Sequence, residues 1–108
     1  MEIVKIVTFV PETHADIVRE TIGNAGGGYI GNYTHCTFSM KGVGRFQPVE
    51  GANPAIGAIG SLESVEEERI EFVCERGLAR KVMEEVRRVH PYEEVPFDVY
   101  PLISETEL

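Results

Sequence analysis

Two amphipathic helical segments, each flanked by strand-like sequence, constrain the fold of this chain more than any other feature. Apolar residues recur at helical spacing between Pro11 and Gly23, and again over residues 77–89, where His90 and Pro91 end the pattern. An amphipathic helix has to bury its apolar face, and the neighbouring segments are rich in β-branched residues. The sequence therefore predicts two helices that pack on a sheet.

Five segments around these helices have the apolar alternation or β-branched content of strands. They are residues 2–10, 29–40, 45–49, from about 67 to 74, and 95–99. The glycine-containing stretch 41–44 reads as a turn, so we expect 29–40 and 45–49 to form an extra hairpin.

The order of these segments defines the fold class. With the short return strand 45–49 set aside, it is the split βαββαβ pattern of an α+β, ferredoxin-like sandwich. Both helices then cover one face of an antiparallel sheet and leave the other face open, either to water or to a partner.

The charge and apolar content of the chain exclude several classes of partner. Eighteen acidic residues against ten basic ones give a net charge of −8, which disfavours nucleic acid. No apolar run approaches the ~20 residues that span a bilayer, so no membrane partner is expected. The start of the chain does not read as a leader, and the two cysteines are too few for a disulfide framework, so we expect a cytoplasmic protein.

The densest group of chemically capable side chains is HPYEE at residues 90–94. His90, Glu93 and Glu94 offer one imidazole and two carboxylates, ligand types that suit zinc, iron, copper or manganese. His35, which we expect to face away from the core, is a further candidate ligand. The alternative is that His90 ends the second helix and that the glutamates are solvated.

Signals of catalysis are weak. The sequence has no G-x-S-x-G elbow, and both Cys36 and Cys74 are interpreted as core residues. The glycines at 26–28 follow a helix rather than precede one, which favours a turn over a phosphate loop. The glutamates within residues 63–71 are interpreted as a solvated face.

Four motifs together resemble one known family. They are GNYTHCTF at 31–38, GANPAIG at 51–57, RIE at 69–71 and HPYEEV at 90–95. In this order they resemble the insert domain of the YqfO-type dinuclear-metal proteins, also labelled GTP cyclohydrolase type II-like or NGG-interacting-factor-like. The resemblance spans about residues 1–102, and the HPYE corner is also similar to the end of CutA, the divalent-cation tolerance protein.

This resemblance implies a CutA-like, PII-like domain, here residues 1–103 with an acidic tail at 104–108, whose open sheet faces meet in a homotrimer. The family's metal ligands lie in flanking halves that this sequence does not contain, so its dinuclear site is not carried over. We therefore expect a non-enzymatic, trimer-forming module, with a divalent metal or a small ligand held near His35, His90, Glu93 and Glu94. The alternatives are a metal-dependent hydrolase of the GTP cyclohydrolase type II-like class and a purely structural assembly module.

Overall fold

The computed structural model describes residues 2–108, in which the regular elements follow the βαββαβ order. Their bounds are β1 Ile3–Pro11, α1 Ala15–Asn24, β2 Phe38–Phe46, β3 Glu63–Glu75, α2 Arg76–Val89 and β4 Phe97–Pro101. A 3₁₀ turn, Glu12–His14, joins β1 to α1.

The four strands form one antiparallel sheet in the order β2-β3-β1-β4, and both helices lie on the same face. The core between the layers is built from alternate residues of β1 and β3 and from the apolar stripes of the helices. Its fully buried members are Ile6, Val10, Val18, Ile22, Ile70, Val82 and Val86. This arrangement confirms the predicted α+β, ferredoxin-like sandwich.

The predicted extra hairpin is wrong. Residues 41–44 continue β2, where Gly42 pairs with Glu67 and Gly44 with Val65, and no separate return strand forms at 45–49. The β3 strand begins at Glu63 rather than near residue 67, because the acidic segment before it completes the ladder with β2. The hairpin in this part of the chain is β2–β3 itself, closed by the long loop 47–62.

The predicted strand 29–40 is wrong over residues 29–37, and backbone geometry explains why. Gly28, Gly31 and His35 all have positive φ values, which an extended strand cannot contain. Ile30 and Tyr33 instead close a local turn through two backbone hydrogen bonds. Cys36, expected in the core, is only half-buried in this loop, whereas Cys74 is buried as predicted.

The sheet face opposite the helices, called the open face below, carries the alternate set of strand residues. Directly paired residues of an antiparallel ladder share a face, so the open face includes Phe38 and Met40 of β2, Arg69 of β3, Phe9 of β1 and Tyr100 of β4. No helix of residues 2–108 covers it.

The predicted acidic tail 104–108 is exposed and contains a 3₁₀ turn, Glu105–Glu107. Among the residues that the structure describes, no helix has the length and apolar content needed to cross a membrane.

Candidate functional site

His90 is the buried centre of the corner between α2 and β4. It ends α2, since its backbone N–H is the last donor to the helix, and its side chain is 7% exposed. Its Nε2 donates to the carbonyl oxygen of Phe9 at 2.7 Å, and its Nδ1 accepts from the backbone N–H of Tyr92 at 3.1 Å. Because a carbonyl can only accept, this pair of contacts defines the neutral Nε2–H tautomer.

The environment of His90 favours that neutral form. Burial lowers the pKa of His90, with a smaller contribution from His14, while the bond to Phe9 and the charge of Glu67 oppose the shift. The neutral imidazole therefore links β1 to the 91–96 segment through these two hydrogen bonds.

Tyr92, which His90 holds through its backbone, forms a polar contact on the open face. Its hydroxyl donates to Oε2 of Glu67 at 2.6 Å, and its ring meets Phe46 edge-on with centroids 5.9 Å apart. Burial, and then the hydrogen bond and charge of Glu67, raise the pKa of the Tyr92 phenol, which keeps it a donor. Glu67 is 8% exposed, so the interpretation of this glutamate as solvated is wrong.

A cavity of about 490 Å³ opens beside this contact, at the end of the open face. Its walls come from the ends of β1 and β2, the loop after β2, and the corner at 91–96. Phe9, Phe46 and Tyr92 supply aromatic surface, and Glu67 supplies a carboxylate. A volume of this size lies within the ~300–1,000 Å³ range of small-molecule sites.

The two predicted glutamate ligands lie at the rim of this cavity. Both Glu93 and Glu94 line it and are exposed. Oε2 of Glu93 accepts from the backbone N–H of Asn53 at 3.0 Å, which ties the loop 47–62 to the corner. The structure therefore brings His90, Glu93 and Glu94 into one corner, but with His90 turned to the backbone.

His35 lies elsewhere. Its ring packs against Gly23, where an added Cβ would come within 1.9 Å, and its Nε2 is 3.0 Å from Oδ1 of Asn24 at the end of α1. Since α1 runs back along β1, this position is at the other end of the sheet from Phe9 and His90. The expectation that His35 projects from a strand is wrong, because residue 35 is in the loop.

The side chains of one chain do not fit a metal ion at the predicted position. Both ring nitrogens of His90 are already engaged, and no three His, Cys, Asp or Glu side chains within residues 2–108 form a group able to hold a metal. The divalent-metal hypothesis stays a prediction.

Replacing His90 with alanine should lower the free energy of unfolding by ~1–3 kcal/mol, because it leaves the buried Phe9 carbonyl and the Tyr92 N–H without their partner. The depressed pKa of His90 means that its stabilisation is complete above the unfolded-state value near 6.5 and is lost as pH falls toward the folded-state value. Urea unfolding at several pH values should show the difference between the two proteins narrowing as the pH falls through this window.

The matched control is His35→Ala, which removes an exposed imidazole. The linking role of His90 would be contradicted if His90→Ala lost no more free energy of unfolding than His35→Ala. It would also be contradicted if the difference between the wild-type chain and His90→Ala widened as the pH falls.

Sequence reasoning found the corner but missed Tyr92, Phe46 and Glu67 as parts of its site. Tyr92 lies within the HPYEE motif, between His90 and the two glutamates whose residue types indicate metal chemistry. Glu67 is one of several glutamates in sequence, and composition does not distinguish it from the others. What places it on the open face is its two-residue spacing from Arg69 on β3.

Comparison with known proteins identifies close relatives for nearly the whole chain. The chain is 53% identical over 103 residues to a GTP cyclohydrolase 1 type 2 homolog of Halalkalibacterium halodurans, a match that covers 95% of the chain and 28% of that protein. A Bacillus cereus protein related to NIF3 superposes with a TM-score of 0.83 at 52% identity, over 95% of the chain and 26% of that structure. No family model matches.

A more distant likeness concerns the fold alone. The periplasmic divalent cation tolerance protein CutA of Archaeoglobus fulgidus superposes with a TM-score of 0.68 at 13% identity, over 94% of the chain and 85% of that structure. The chain spans only about a quarter of the length of the curated relatives that it matches. It therefore has the fold of CutA and is similar in sequence to one segment of the NIF3-related proteins named GTP cyclohydrolase 1 type 2 homologs.

Proposed function

We propose that this chain is a non-enzymatic, CutA/PII-like assembly domain that forms a homotrimer through its open sheet face. The observation that carries the proposal is a sheet face that no helix of residues 2–108 covers and that carries exposed apolar side chains as well as charged ones. Phe38, Met40 and Tyr100 on this face are 62%, 47% and 46% exposed. Large apolar side chains grouped on one side of a small protein are typical of a protein–protein contact.

One pair of opposite charges on this face, Arg69 and Glu71, lies within the chain, which supports burial of that part of the face in a contact. Arg69 lies opposite Met40, its guanidinium is 3.7 Å from Glu71, and it lies over the ring of Phe9 at 5.8 Å. An arginine with a carboxylate beside it is less costly to bury in an interface than an isolated one, although the Nε of Arg69 has no hydrogen-bond partner among the described residues.

The threefold form of the assembly rests on the resemblance to CutA and PII proteins. A trimer also supplies what one chain does not have, since a divalent metal would need ligands from several copies. We place the protein in the cytoplasm, to which its two free cysteines are suited.

Native mass spectrometry of the purified chain tests this proposal. We expect an ion series at three times the chain mass of 12.0 kDa, and a sample that gives only single chains would contradict it. Spectra recorded with added zinc, copper or manganese should show the same trimer. A trimer that forms only with metal would assign assembly to the ion rather than to the apolar face.

The alternative function is a metal-dependent hydrolase, which the names of the relatives suggest for proteins about four times as long. A hydrolase screen of the purified chain with added divalent metals separates the two functions. The proposed domain gives no turnover above the buffer rate, whereas turnover abolished by chelation would favour the alternative.

A further inference from the structure

We infer that the cavity beside Tyr92 is a binding site for a small organic cation, a protonated or quaternary amine with an apolar body. The juxtaposition that carries this inference is a buried carboxylate, Glu67, set among the rings of Phe9, Phe46 and Tyr92. This site goes beyond the assembly function and does not depend on it.

Only one oxygen of the Glu67 carboxylate accepts a hydrogen bond from the described residues. Its Oε2 accepts from Tyr92, while Oε1 accepts no hydrogen bond from the residues that the structure describes and keeps some accessible surface. A buried carboxylate with a free oxygen is costly unless a donor or a positive charge joins it. An ammonium group supplies both.

Gly44, which the Glu67 side chain closely approaches, leaves the space that the carboxylate occupies. A Cβ on Gly44 would lie 1.9 Å from Oε1 of Glu67, so any other residue at position 44 would displace the carboxylate. Gly44 sits within β2, where glycine weakens a strand, and the close approach of Glu67 accounts for it there.

The walls of the cavity select the class of ligand. Aromatic faces attract cations, with the strongest effect when the cation is desolvated. Glu93 and Glu94 add negative charge at the rim, and Arg45 is the one basic residue of the lining within residues 2–108. An anion such as a phosphate would therefore meet three carboxylates, whereas a cation with an apolar body would contact both the carboxylates and the aromatic rings.

Isothermal titration calorimetry with three probes of similar shape tests the inference. The probes are 2-phenylethylamine as the cation, 2-phenylethanol as its neutral counterpart and 3-phenylpropionate as the anion. We expect the amine to bind about tenfold more tightly than the alcohol, because of its charge-assisted contact with Glu67, and the anion to give no measurable heat. Equal binding of amine and alcohol, or no binding of the amine at millimolar concentration, would overturn the inference.

Variants then locate the binding site. Glu67→Gln keeps the size of the side chain and should weaken amine binding about tenfold while leaving the alcohol unchanged. Glu66→Gln is the matched control, an exposed glutamate on the same strand but outside the cavity. The inference fails if both variants weaken binding alike or if neither does. If Glu67→Gln does not fold, as judged by circular dichroism, the comparison of probes on the wild-type chain decides alone.

Discussion

Replacing Gly28 with alanine is expected to remove most of this domain's free energy of unfolding. Gly28 is buried at φ +74°, and a Cβ there would lie 2.5 Å from the carbonyl oxygen of Cys36 and 2.9 Å from its nitrogen. These atoms belong to the backbone and cannot rotate away. Left-handed strain and overpacking each cost about 1–3 kcal/mol, so together they approach the stability of a small domain.

The contacts around Gly28 make relaxation expensive as well. Its N–H donates to the carbonyl of Val73 at 2.7 Å, and its carbonyl accepts from the N–H of Cys36 at 2.9 Å. Moving the loop away from the clash would break both bonds and detach the segment from β3.

Gly31→Ala is the matched control for this prediction. Gly31 also has a positive φ, +55°, but nothing lies within 4 Å of an added Cβ. The alanine variant should lose only about 1 kcal/mol of the free energy of unfolding, which is the cost of placing a residue with a Cβ at positive φ. Urea unfolding of both variants measures the difference, and equal losses would show that the contact with Cys36 is not tight.

Replacing Met40 with glutamate should convert the proposed trimer into single chains. The new carboxylate would enter the contact once per copy, and burying it without full compensation weakens association by about a hundredfold or more. In the isolated chain the same carboxylate faces Arg69 across the ladder and is exposed, so the fold itself should survive. Size-exclusion chromatography with light scattering measures the mass, and the thermal midpoint reports the fold.

Val43→Glu separates this effect from a general effect of charge on β2. Val43 is 45% exposed, close to the 47% of Met40, but its ladder partner Glu66 places it on the helix side of the sheet. The Val43 variant should keep the wild-type mass. If it dissociates as readily as the Met40 variant, the open face is not the contact.

The sandwich was predictable from sequence because its signals are local and repeated. The helical stripe of α2 and the β-branched run of β1 specify their elements almost independently of context. Local patterns predicted the wrong structure between Gly28 and Phe46 because glycine can occupy either a turn with positive φ or the interior of a strand. Gly28 and Gly31 have positive φ and lie in a loop, whereas Gly42 and Gly44 lie inside β2. The glycine at position 44 is explained by the Glu67 side chain of the neighbouring strand, which leaves no room for a Cβ.

The candidate site was predictable only in part for a related reason. A histidine followed by glutamates indicates a chemically capable corner, but ligand chemistry depends on which ring nitrogens are free. The carbonyl that occupies Nε2 of His90 comes from Phe9, which is 81 residues away in the sequence. Long-range partners of this kind engage both ring nitrogens of His90 or bring Tyr92 and Glu67 together, and local sequence patterns do not reveal them.

Sedimentation equilibrium of the wild-type chain across the micromolar range tests the central claim, that the open face joins three copies, most directly. A single species at three times 12.0 kDa is the predicted result. A particle of 12.0 kDa at every concentration would contradict the assembly function.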